Sequence, residues 1–400
     1  MSEPTPTSRR RIAGLLLAGA VVAAAAGTAA AVADPRPVGT PRQEITPLAG
    51  SLLSRPHPVA GDDGRIHLAY ELFVTNPTSS VMNLTTVEVL DGSSVVATFA
   101  GSDLDAAIRP LVAGAPQEVQ PAQVTRVFLD TTVARWSQVP DRISHRVTFT
   151  LSGSGGTSTN TVVTARSRVV DEDPVEISPP LSGPRWVTAG GCCFPPSYHR
   201  SATLPVNGAF HGPERFAIDF IQLNDQNVLF SGPQSNLGSY GYFGAKIMSV
   251  ADGRVVGLLD GLPEQTPPTF PPGATAETAG GNYVVIDIGD GRFAYYAHMQ
   301  PGSLRVKVGD AVRRGQVIGR LGNTGNSDGP HLHFQITDSP LPLASEGLPF
   351  VFDSFTSRGT ITSPMEDVAN GAPAVIGPAT AGRHREQMPL QDQVVDFPAR

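Results

Sequence analysis

Apolar and polar positions alternate in short runs along most of this chain, and no long amphipathic helical pattern follows the N-terminus. The run Ile66-His67-Leu68-Ala69-Tyr70-Glu71-Leu72-Phe73-Val74-Thr75-Asn76 is rich in β-formers and ends at an Asn-Pro turn. β-Branched runs at 85–89, 94–99, 124–129, 146–151 and 161–170 follow, separated by turn residues. Several short strands with turn signals between them predict an immunoglobulin-like β-sandwich over 51–170. His67 and His145 lie in these strands without convergent partners and read as packing or surface residues.

The pattern breaks at 171–185, where Asp171-Glu172-Asp173-Pro174 and Pro179-Pro180 carry no periodicity and read as a linker. Beyond it, 216–223 is a strong strand, and 245–251 and 254–258 return to β-character after a polar, Gly-rich excursion. A second, antiparallel β domain is expected over 186–340. The Pro-rich stretch 341–400 reads as a partly disordered tail. The expected fold is therefore mainly β, with a sandwich first and an antiparallel sheet domain after it.

Composition sharpens this in three places. A formal net charge of −7 with 16% charged residues excludes nucleic acid as a partner. At the N-terminus, Ser8-Arg9-Arg10-Arg11 precedes an apolar, Ala-rich run, and Ala31-Val32-Ala33 offers a cleavage site. Residues 1–33 read as an export signal of twin-arginine character and 34–50 as a linker. Left uncleaved, the apolar run is long enough to anchor in a membrane, and the chain is secreted or held in the cell envelope on either reading. The two cysteines, Cys192 and Cys193, are adjacent, which suits a vicinal disulfide outside the cytoplasm. A thiolate metal site with His199 nearby is the alternative.

Chemistry concentrates between 280 and 337. His331 and His333 are spaced i, i+2, which on a strand puts both imidazoles on one face, ~6–7 Å apart, with Leu332 and Phe334 on the other. The approach 322–330 is tight and turn-rich, and His298 closes the run Tyr-Tyr-Ala-His. Two converging imidazoles suit a metal ligand beside a proton-transfer group.

Tyr-Ala-His at 296–298, Lys307-Val308-Gly309-Asp310 with Gly315-Gln316, the Gly-Asn-Thr-Gly-Asn-Ser run and Gly-Pro-His-Leu-His-Phe-Gln together resemble the lysostaphin/LytM-type zinc metallopeptidases. Those enzymes cut peptide bonds in bacterial cell-wall peptidoglycan, and the resemblance covers roughly 204–337. It implies a Zn2+ ion held by a His and an Asp four residues apart and by the second His of His-x-His. Asp219 and His333 match two of these positions. His331 and His298 fall where the family keeps its catalytic histidines: His331 as the base for the attacking water, His298 as stabiliser of the tetrahedral intermediate.

One position departs from the pattern. Arg215 stands four residues before Asp219, where the family has its first histidine, and Ala217 stands where glycine is usual. Arginine stays protonated and has no lone pair for zinc. His211 and His199 are the upstream imidazoles; His211 is the preferred third ligand, provided that Gly212-Pro213 folds the chain back. Two function classes follow. One is an exported zinc metalloendopeptidase acting on stem or cross-link peptides of peptidoglycan. The other is a metal-free, degenerate domain that binds peptidoglycan or activates a partner hydrolase, with Arg215 in the cleft pairing Asp219.

Overall fold

In the computed structural model, which describes residues 43–111 and 115–399, the alternating runs of the N-terminal part become ten strands. They are β1 (Ala49–Leu52), β2 (His57–Ala60), β3 (Ile66–Thr75), β4 (Val81–Asp91), β5 (Ser94–Ala100), β6 (Ile108–Pro110), β7 (Glu118–Val119), β8 (Val124–Val133), β9 (Arg142–Gly153) and β10 (Gly156–Arg168). One sheet is ordered β1-β3-β8-β6 with β2 on β3; the other is β10-β9-β4-β5 with β7 on β4. Both are antiparallel. In β4 the period of two buries Met82 and Leu84 and exposes Asn83 and Thr85, and a bulge before Thr86 resets the parity so that Val87 and Val89 are buried. Leu72 and Val127 of the first sheet share one core with Val87 and Phe149 of the second. Each such side chain contributes about 1.5–3 kcal/mol relative to exposure.

His67 and His145 differ from the expectation of lacking partners. His67 stands between Asp130 (Nδ1, 2.9 Å) and Asp63 (Nε2, 3.2 Å). His145 is buried; its Nδ1–H donates to the Ala165 carbonyl and its Nε2 accepts from the Tyr70 hydroxyl.

The remaining chain builds a long sheet. Its central members run in the order Gly253–Leu259, Asn282–Asp287, Phe293–Met299, Leu332–Thr337, Ile218–Gln222, Gly183–Ala189, Gln393–Phe397 and Phe355–Ile361. Ile218 and Phe220, Leu332 and Phe334, and Ala294 and Tyr296 turn to one face and share the main core with Trp186 and Phe350. Period two then sends Asp219, His333, Gln335 and Ala297 to the opposite face.

Two segment expectations are corrected here. Residues 341–400 are not a loose tail: Gln393–Phe397 pairs with two strands inside the sheet, and Val394 and Val395 are fully buried. Prolines at the segment's turns hide a short apolar strand whose partners lie far away in sequence. Residues 171–185 are not a free linker either. Val175–Ile177 pairs in parallel with Phe350–Phe352, and Ile177 and Leu181 are buried. Thr46–Arg400 forms one compact unit. The expected export signal and most of the expected first linker lie outside the described residues. Among the described residues no helix is long and apolar enough to cross a membrane.

Candidate metal centre

Four adjacent strands lay the site out as a row. Asp219 pairs with His333 across one ladder, His333 with Ala297 across the next, and Asp219 with Ala189 on its other side. Directly opposed residues in antiparallel strands point the same way with Cβ atoms ~5 Å apart, so the register alone makes Asp219 and His333 neighbours. His333 Nδ1 lies 3.0 Å from Asp219 Oδ1. His331, just before the strand, brings Nε2 to 3.4 Å from the same oxygen.

His298 needs a different device. Alternation after Ala297 would turn it to the core face, but its φ of 61° lies in the left-handed region, which a non-glycine residue enters at a cost. That twist re-aims the ring into the cleft, where its centroid lies 4.5 Å from that of His331, the two rings tilted 48° to each other. Its Nδ1–H donates to the Thr324 carbonyl at 2.7 Å.

His211, the expected third ligand, does not join Asp219 and His333. His211 ends the short strand Ala209–His211 and faces Glu346, with Nδ1 3.7 Å from Oε1. The Gly212-Pro213 turn does not fold its ring back over Asp219. His199 arrives instead, on the helix Tyr198–Ser201, with Nε2 3.3 Å from Asp219 Oδ2. His199, Asp219 and His333 place one ligand atom each within 4.8 Å of one another. Arg215 is also not in the cleft: its guanidinium is buried against Glu71 and Glu346, at 2.6 and 2.7 Å. Cys192 and Cys193 are joined as a disulfide, so neither offers a thiolate.

The hydrogen bonds behind these residues test whether a cation fits. His199 Nδ1–H donates to the Gly190 carbonyl at 3.0 Å. His333 Nε2–H donates to Gln335 Oε1 at 2.8 Å, and the Gln335 amide is oriented by donating to the Pro342 carbonyl. Each imidazole has therefore committed one N–H to an acceptor, and its other nitrogen, which faces Asp219, offers a lone pair to a cation once it gives up the proton shared with that carboxylate. Two such nitrogens and a carboxylate converge, a donor set that could hold a cation such as zinc.

Burial and charge act accordingly. Burial would raise the Asp219 carboxyl, yet His199 and His331 facing it, with hydrogen bonds from His199 and His333, hold it well below the usual carboxylate range. Burial disfavours the His333 cation, but the hydrogen bond to Asp219 and its charge push the group up to about 9. His298 is driven well below 6.5 by burial and by its two histidine neighbours, so it stays neutral.

The residues lie in a cleft of about 420 Å³ lined also by Tyr198 and Tyr295. The Tyr198 hydroxyl donates to Asp219 Oδ2 at 2.7 Å. Tyr198 has no signal in the sequence, because its approach depends on the fold of 190–200. Gln335 sits inside the sequence motif, where strand parity places it beside His333.

Residues 240–344 match the model of peptidase family M23. That span holds His298, His331 and His333 but neither Asp219 nor His199. Peptidoglycan DD-endopeptidase ShyA of Vibrio cholerae is 48% identical over 56 residues, 14% of this chain and 13% of that protein. Lysostaphin of Staphylococcus simulans is 38% identical over 88 residues, 21% of this chain and 17% of that protein. The chain thus spans under a fifth of the length of these relatives. The catalytic domain of the prophage-encoded M23 protein EnpA from Enterococcus faecalis aligns with 41% of this chain and 88% of that chain, at 22% identity and a TM-score of 0.25.

Proposed function

We infer, from the premise that this chain carries a lysostaphin/LytM-type domain of peptidase family M23, that it is a zinc metalloendopeptidase hydrolysing peptide bonds of bacterial cell-wall peptidoglycan. The observation that carries this is the convergence of His199, Asp219 and His333, each imidazole with its outward nitrogen engaged. Export to the cell envelope fits the same substrate and rests on the N-terminal sequence pattern. We also assign the first two sheets to the immunoglobulin type. Labelled in chain order as A, B, C, C′, D, E, F and G, with β2 and β7 set aside, their strands follow the order A-B-E-D and G-F-C-C′.

His199, Asp219 and His333 would hold the ion, with His199 in the place His211 was expected to take. Zinc bound there supplies a Lewis acid for the scissile carbonyl and lowers the pKa of the attacking water. His331, with Nδ1 fixed on the Gly329 carbonyl at 2.9 Å, turns Nε2 into the cleft beside Asp219 Oδ1, where it would take the proton from that water. His298 is locked as the Nδ1–H tautomer by Thr324, so its Nε2 accepts and cannot donate to an oxyanion. It therefore orients the water, a role different from the one the family resemblance implied. The metal-free binding reading rested on Arg215 standing where the family has its first ligand; His199 beside Asp219 and the engagement of Arg215 by Glu71 weigh against it.

Metal analysis and release of new amino groups from purified peptidoglycan test this. Wild type should hold one zinc per chain and release amino groups. His199→Ala should lose the zinc, His211→Ala should keep it, and His331→Ala should keep zinc while losing about 10²-fold or more in rate. A zinc-free wild type, or zinc lost with His211 and kept without His199, overturns the assignment.

A further inference from the structure

We propose that Glu71 and Arg200 are positioning residues of the metal centre, so that the N-terminal sheets hold the ligand His199 in place through a buried ion-pair clamp. The proposal rests on the reading of His199 as a zinc ligand. Asp219 and His333 are fixed by the register of neighbouring strands, but His199 is not. It rides on a four-residue helix, far too short to be stable on its own. Something outside the helix must hold it to the tolerance of a metal bond.

Arg200, the next residue, supplies that anchor. Its side chain is fully buried. Nη1 donates to the Cys193 carbonyl at 2.8 Å, while Nη2 faces the Tyr70 carbonyl at 3.2 Å, the Leu129 carbonyl at 3.3 Å and Glu71 Oε1 at 3.4 Å. Tyr70 and Glu71 belong to β3, and Leu129 belongs to β8. One guanidinium thus ties the ligand-bearing helix and the Cys192–Cys193 turn to the first sheet.

Glu71 is equally buried and receives a second cation. Arg215 Nε lies 3.0 and 2.9 Å from its two oxygens, and Arg215 Nη2 also reaches Glu346 at 2.7 Å. Two arginines and two glutamates balance, but among the described residues Glu71 is the only carboxylate that touches both arginines. Without it, two buried guanidiniums lose a counter-ion, which is the expensive way to break a buried pair. Position 215 is where the resembled family carries its first ligand. Here that position is part of the clamp, and the ligand comes from the element the clamp secures. A displacement of the helix by about 1 Å takes His199 Nε2 out of reach of a ~2 Å metal bond.

A clamp that merely joins the sheets would stabilise the fold without acting through His199, and a mutant cycle separates the two. Zinc affinity is measured by chelator competition on the full chain for wild type, Glu71→Gln, His199→Ala and the double variant. The visible spectrum of the cobalt-substituted proteins serves as a second readout. Glu71→Gln should weaken zinc by about 10–100-fold, the range for groups that orient a ligand. It should move the cobalt spectrum toward that of His199→Ala. In the His199→Ala background the same change should alter affinity by less than about twofold, because the ligand it positions is already gone.

Arg200→Lys keeps the charge but cannot span Cys193 and Tyr70 together, so it should behave like Glu71→Gln and serves if that variant does not fold. Val127→Ala, in the core of the first sheets, should lower the melting temperature and leave zinc affinity unchanged. Wild-type affinity in both clamp variants, or an equal factor with and without His199, overturns the proposal alone. A wild type that binds no zinc overturns both it and the metal-centre reading.

Discussion

His333 can face Asp219 with Nδ1 only because Gln335 holds its other nitrogen, and Gln335 is itself fixed by Pro342. Replacing Gln335 by leucine keeps the shape and removes the acceptor. The ring is then free to change tautomer and rotate. Gln335→Leu should weaken zinc by about 10–100-fold while the far-ultraviolet spectrum stays that of wild type. His67 tests charge rather than orientation. Burial opposes its cation, but Asp130 and Asp63 push it up to about 10 from an ordinary value of 6.5. A raised folded value favours the protonated form. Its contribution is therefore complete below pH 6.5 and is lost as pH rises through about 10. Urea midpoints at pH 6 and pH 10 should fall more steeply for wild type than for His67→Gln, which has no such group to lose.

At the scale of elements, the turn-rich stretch before Leu332–Thr337 does more than redirect the chain. Its Thr324 carbonyl fixes His298, and its close passage against 280–281 leaves no room for side chains. Gly325 has a φ of 76°, and a Cβ there would stand 2.1 Å from the Gly281 nitrogen. Gly325→Ala must displace this turn, and with it the His298 and His331 partners, while Asp219, His199 and His333 sit on other elements. The expected result is stoichiometric zinc with hydrolysis reduced by about 10²-fold, the usual cost of a misplacement of about 1 Å. Zinc lost together with activity would mean that the turn also carries the metal site.

For the whole molecule, the C-terminal strand Gln393–Phe397 lies between Gly183–Ala189 and Phe355–Ile361. The first of these neighbours leads straight into Gly190, whose carbonyl holds His199. Ending the chain after Gln387 removes the buried Val394, Val395 and Phe397 and leaves two strands with unpaired edges. Such a truncation should show no cooperative thermal transition. A sharp melt near that of wild type would return the segment to the status of a dispensable tail.

Local pattern carried much of this, and its reach has a physical limit. Period-two alternation marked the β class, put His331 and His333 on one side of a strand, and separated Asp219 from the apolar residues around it. Those are properties of a single strand, and adjacent residues determine them. Which histidine completes the donor set is a different kind of quantity. His199 and His211 look equivalent along the chain, and it takes long-range contacts, among them the pairing of Gly183–Ala189 with Ile218–Gln222, to bring the first of them to Asp219. Arg215 was legible as a residue that cannot bind zinc. Where it would point was not legible, because its counter-ion Glu71 lies 144 residues away on another sheet. A buried charge goes where its partner is, and only the tertiary structure decides that.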